Sequence, residues 1–122
     1  MAGELDLEVE TVRRDLRIVH IGFAREELRL VLAPDAGMDS SLVVELQGVH
    51  SFFDRGAVGC GVVVARVVEP GSFGWHFSPE ERGQHKEVHF NPKANPTTNI
   101  FRALARTLIV RYGDVEDANF PG

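Results

Sequence analysis

The sequence predicts an α+β domain, a mainly antiparallel sheet of about six or seven strands with one C-terminal amphipathic helix packed on it. Three observations carry this expectation. Apolar and polar residues alternate over several short runs, the period-2 signature of strands with one buried face. Clusters of Gly, Pro and Asp separate those runs, where the chain must turn. One stretch near the end, from Asn95 to Tyr112, repeats its apolar residues at helical spacing. A two-layer β-sandwich plus helix is the alternative arrangement of the same elements.

The first alternating run is Glu4-Leu5-Asp6-Leu7-Glu8-Val9-Glu10, with Leu5, Leu7 and Val9 on one face and acids on the other. It reads as a half-buried strand. Leu16–Phe23 and Glu27–Ala33 follow, separated by Ala24-Arg25-Glu26, and read as a hairpin. Pro34-Asp35-Ala36-Gly37 supplies the next turn. Ser41–Val49 is a further strand in which Gly48 marks a bulge or a close backbone approach. Asp54-Arg55-Gly56 reads as turn chemistry.

Cys60–Val68 is apolar on both faces except at Arg66, the pattern of a strand covered on both sides. One helix covers only one face, so a second layer or a second copy of the chain is expected to supply the rest. Residues 69–84 form the longest irregular stretch, with a Gly74-Trp75-His76-Phe77 cluster inside it, and a strand follows near Glu87–Asn91. The predicted helix begins with Asn95 as N-cap and Pro96 at the first helical position. Its apolar stripe is Ile100, Phe101, Leu104, Ala105, Leu108, Ile109 and Tyr112, and Gly113 sits at the C-terminal cap. Residues 114–122 are expected to be a loose tail.

Composition bounds the function. A chain of 122 residues that is 43% hydrophobic and 25% charged is one ordinary globular domain over 1–122. Its single cysteine, Cys60, excludes an internal disulfide framework and reads as a small hydrophobe in a valine-rich run. No apolar run reaches the length of about 20 residues that spans a bilayer, so no membrane partner is expected. The first residues lack the basic-then-apolar order of a signal peptide, and a cytoplasmic location follows as the expectation. The preference for Arg over Lys, with many Ala, Val and Gly, suits a high-GC bacterial genome. A formal net charge of −5 is the wrong sign for phosphate-driven nucleic-acid binding, so no nucleic acid is expected.

Two constellations carry candidate chemistry. His85, Glu87 and His89 share one face of a strand, so two imidazoles and a carboxylate converge on a possible divalent metal ion, with His76 a further ligand. On the same face they also serve simply as the wet side of a strand whose Val88 and Phe90 point inward. Trp75, His76 and Phe77 offer contact area to a partner or plug the end of a sheet. The acidic residues Glu4, Asp6 and Glu8 form a surface suited to a basic partner. His20, among Ile18, Ile21 and Phe23, reads as a partly buried structural histidine. Glycine-rich phosphate loops, nucleophile elbows and calcium loops are missing.

The pair Leu28-Arg29-Leu30-Val31-Leu32 and Leu42-Val43-Val44-Glu45-Leu46-Gln47-Gly48-Val49 resembles small bacterial strand-rich domains, among them immunity proteins encoded beside toxins. The likeness covers about positions 15 to 50 and transfers no functional residue. It implies a binding module. The leading expectation is therefore a non-enzymatic protein-interaction module, neutralising or assembling with a basic partner or with a second copy as a homodimer, with no cofactor. The alternatives are a metal-binding domain or metal-dependent enzyme built on His85, Glu87 and His89, and a small apolar-ligand binder between sheet and helix, lined by Phe101, Leu104 and Leu108.

Overall fold

Six strands pair edge to edge until the last in the ring meets the first. In a computed structural model, which describes residues 5–34, 40–69, 80, 83–95, 97–114 and 116–118, the chain forms a closed antiparallel barrel. Helix α1 (Leu7–Arg13) precedes strands β1 (Leu16–Ala24), β2 (Glu27–Pro34), β3 (Ser41–Asp54), β4 (Val62–Val68), β5 (Lys86–Pro92) and β6 (Phe101–Gly113). Around the barrel the order is β1-β2-β3-β6-β5-β4, and β4 returns to β1. The expected β1–β2 hairpin is present, and β3, β4 and β5 start close to their expected positions, β3 running on through Asp54.

The interior is filled by alternate residues of every strand. Leu16, Ile18, Leu28, Leu30, Leu32, Leu42, Val44 and Leu46 form one part of it; Val63, Ala65, Val88, Phe90, Phe101 and Ala103 form another. Burying aliphatic side chains of this size stabilises by about 1.5–3 kcal/mol each, before the entropy of ordering them is subtracted.

The C-terminal helix expected over Asn95–Tyr112 is a strand, and the open sheet with a helix packed on it is corrected to the closed barrel, as is the sandwich. Leu108 and Val110 of β6 face inward opposite Leu46 and Val44 of β3. Gly48 of β3 has a left-handed backbone (φ +64°), and beyond it the inward set changes to Ala105, Ala103 and Phe101. Arg106 and Thr107 are exposed where the faces exchange. Leu104 is also fully buried, from the outer side of the wall. A strand that switches faces midway and is buried on both faces near its start imitates a 3.6-residue period. Phe101, Leu104 and Leu108 therefore belong to the barrel wall itself, and among the described residues no C-terminal helix packs on the sheet.

The first run is corrected in the opposite direction. Leu7–Arg13 is helical, with Asp6 as its N-cap accepting from the Val9 N–H at 3.2 Å. Its buried residues Leu7, Glu10 and Thr11 follow the i, i+3, i+4 rule, which the strict alternation of charges concealed. The helix lies along β4 because β4 needs it. Strand β1 pairs with β4 only at Leu16↔Val63 and Arg17↔Val62, leaving the rest of that edge unpaired by strand. Thr11 Oγ1 accepts from the Ala65 N–H at 2.9 Å, and a Glu8 carboxylate oxygen accepts from the Val67 N–H at 3.2 Å. Side chains of a helix thus occupy hydrogen-bonding positions that a neighbouring strand normally fills. Lys93 ties the helix end down, its Nζ donating to the carbonyls of Val12 and Arg14 and to Asp15. In the last segment Ala118 is fully buried against Val31 and Val43, outside the main core.

Candidate functional site

Cross-strand register lines up one row of side chains on the outer wall. Arg66 of β4 lies opposite His89 of β5, His89 opposite Arg102 of β6, and Arg102 opposite Phe53 of β3. Their flanking neighbours Ala65, Phe90 and Phe101 point into the core, so this row points outward. With strands about 4.8 Å apart, the row crosses roughly 14 Å of wall. Two of its four members are arginines, on a chain whose overall charge is negative.

The row ends in a cleft of about 330 Å³ lined by Phe53, Arg55, Thr97, Thr98, Asn99 and Arg102. The guanidinium carbons of Arg55 and Arg102 each stand 5.3 Å from the centroid of the Phe53 ring. A ring quadrupole attracts cations at this range. Arg55 is held from below as well. Asp54 Oδ1 accepts from the N–H groups of Gly56 at 3.0 Å and Ala57 at 2.8 Å, and the Arg55 N–H donates to the Ile100 carbonyl at 2.9 Å. The opposite lip is the β5–β6 connection. There the Asn95 side chain donates to Thr98 Oγ1 at 3.1 Å and accepts from Thr97 Oγ1 at 2.8 Å.

Beside this row lies a second one, in which Val68, Glu87, Leu104 and Ser51 face one another across the same strands. Glu87 is fully buried and is bonded to His89 Nε2, so the metal-site candidates Glu87 and His89 are joined directly to each other. The third, His85, stands apart from that pair. Its ring meets His50 edge-on, with centroids 6.1 Å apart, at a second cleft lined by Glu26, Gly48, Val49, His50, His85 and Arg106. Among the described residues no three His, Cys, Asp or Glu side chains stand together as a metal-holding group. His76, Trp75, Phe77 and Glu4 lie outside the described residues.

The other candidates on the first run have structural work. Asp6 caps α1 and Glu8 seals the β4 edge. Glu10 is buried and receives the guanidinium of Arg13 at 2.8 Å and that of Arg14 at 3.5 Å, an arrangement that raises the Arg13 pKa through its hydrogen bond and charge contact with Glu10. Cys60 is exposed in the β3–β4 connection instead of lying within the valine-rich strand. His20 is half-buried on β1. No helix among the described residues is long and apolar enough to cross a membrane.

Sequence reasoning assigned Asp54-Arg55-Gly56 to a turn, which it is, and did not find the cleft. The available signal was the pair of phenylalanines before that turn, Phe52 and Phe53, both partly exposed at 39% and 38%. The partner Arg102 was hidden by the expectation of a helix. Compared with protein families, curated proteins and solved structures, the chain matches none.

Proposed function

We propose that this protein is a non-enzymatic protein-interaction module, and that its recognition surface is the cationic outer wall ending at Arg55, Phe53 and Arg102. The single observation that carries the reading is the pair of guanidiniums held at one aromatic ring in an open cleft. Arginines stacked on aromatics are already ordered, so little side-chain freedom is lost when they grip a carboxylate or phosphate. The expected partner is a protein that presents acidic groups. The binding-module character agrees with what the resemblance of the β2–β3 segment implies.

The sign of the partner follows from which charges are engaged. Asp6, Glu8 and Glu10 hold α1 and the barrel seam, which leaves the acidic helix committed to the fold. Arg66 and Arg55 are exposed on the side of the wall that carries the cleft, with Arg102 between them in the cross-strand row. The test is fluorescence anisotropy of a labelled oligoglutamate peptide against the purified chain. Binding is expected at low salt, weakening with ionic strength, and falling in Arg55→Gln and Arg66→Gln variants. Equal binding by the parent and by the double variant contradicts the reading.

A further inference from the structure

The geometry points to a phosphoryl dianion as the group that seats among Arg55, Arg102 and Thr98, an assignment that rests on reading this wall as the recognition surface. Charge is the first ground. Among the described residues the cleft is lined by two guanidiniums, a phenyl ring and three neutral polar side chains, with no carboxylate among these. A single carboxylate neutralises one of those charges, whereas a phosphomonoester carries a charge of roughly −1.5 to −2 at neutral pH and three acceptor oxygens.

Donor supply is the second ground. Thr98 Oγ1 already accepts from the Asn95 side chain at 3.1 Å, so its oxygen is engaged from behind and its hydroxyl hydrogen must find an acceptor elsewhere. Among the described residues no acceptor takes it, and Thr98 lines the cleft. Thr97 differs, because its hydroxyl hydrogen is spent on Asn95 Oδ1 at 2.8 Å. The lining therefore brings two guanidinium groups and one hydroxyl to a single cleft, donors of the kind that bind a tetrahedral oxyanion with several oxygens.

Geometry also argues against a nucleobase as the occupant. Both guanidiniums lie within cation–π range of Phe53, so the ring serves to position cations and is poorly placed to stack a base. The phosphomonoester is borne by a serine or threonine of the partner protein or by a small free molecule, and the chemistry recognised is the same.

The experiment titrates the isotope-labelled full chain with a phosphoserine peptide, its unphosphorylated form, its glutamate-substituted form, and free O-phosphoserine. Amide signals of Arg55, Thr98 and Asn99 report the cleft. The phosphopeptide is expected to bind at least about tenfold more tightly than the unphosphorylated and glutamate forms, the scale of one charge-assisted hydrogen bond. Arg55→Gln should weaken it about tenfold and Thr98→Val severalfold, with unfolding midpoints close to the parent. Free O-phosphoserine binding as tightly as the peptide also supports the assignment and identifies a small molecule as the source. Equal binding of glutamate and phosphoserine peptides overturns the phosphoryl assignment while leaving an acidic partner intact. Failure of all four ligands to shift these signals overturns both.

Discussion

The hydroxyl of Thr11, on the helix, accepts a hydrogen bond from the backbone N–H of Ala65, on β4, at 2.9 Å and across 54 positions of sequence. The same hydroxyl donates to the Glu8 carbonyl at 3.2 Å, so both of its bonding capacities are used in a fully buried position. Thr11→Val keeps the shape, removes both bonds and leaves a strand N–H unsatisfied. A loss of about 1–3 kcal/mol is expected, read as a lower urea midpoint with unchanged slope. Thr11→Ser should lose less, because the hydroxyl remains. Equal stability of Thr11→Val and the parent means that α1 does not seal the barrel.

The β1–β2 hairpin turns through Arg25 and Glu26, both with left-handed backbones at φ 52° and 64°. That is the two-residue geometry that Asn-Gly adopts without strain, and neither Arg nor Glu favours it. Replacing Arg25→Asn together with Glu26→Gly should stabilise by about 1–2 kcal/mol. Calorimetry should show the melting temperature rising by several degrees. A fall in stability means that the side chains of Arg25 or Glu26 outweigh the backbone strain.

Gly48 permits the exchange of faces midway along β3. A methyl group there meets the Arg106 side chain at 3.2 Å, on a backbone at φ +64° that L-residues rarely adopt. Gly48→Ala is expected to cost about 1–2 kcal/mol in chemical denaturation. Gly56 and Gly59, also left-handed, have open space at the corresponding position, so Ala there meets backbone strain alone.

Glu87 has no exposed surface and takes His89 as a bonded neighbour. Removing His89 takes a hydrogen bond from the buried carboxylate. His89→Ala should therefore destabilise by about 1–3 kcal/mol. Arg66→Ala, at an exposed position in the same row, should stay within about 0.5 kcal/mol of the parent. Similar losses for the two variants mean that Glu87 finds its compensation elsewhere.

Period-2 alternation made β1, β2, β5 and most of β3 legible, because each presents one face to the interior for most of its length, and β4 was legible from its continuous apolar run. The two corrected elements failed for related reasons. In β6 the face exchange between Leu108 and Ala105, together with Leu104 buried from outside, gave strand residues a helical spacing. In α1 the acids that alternate along the sequence have different tasks in space: Asp6 caps, Glu8 bonds the β4 edge and Glu10 is buried beside two arginines. Barrel closure depends on which strands are neighbours, and alternation does not specify that. The cleft stayed hidden for the same reason, since Phe53, Arg55 and Arg102 come together only once β3 and β6 pair.

The account turns on the outer wall being where a partner binds. Mapping backbone amide shifts of the labelled chain on addition of an oligoglutamate peptide at low salt tests this most directly. The predicted shifts fall on Arg66, His89 and Arg102 across the wall, and on Phe53, Arg55, Thr98 and Asn99 at the cleft. They should shrink in Arg55→Gln and leave Asp6 to Glu10 unmoved. Shifts that instead gather on α1, or that appear with an oligolysine peptide and not with oligoglutamate, contradict the account and move recognition to the acidic helix.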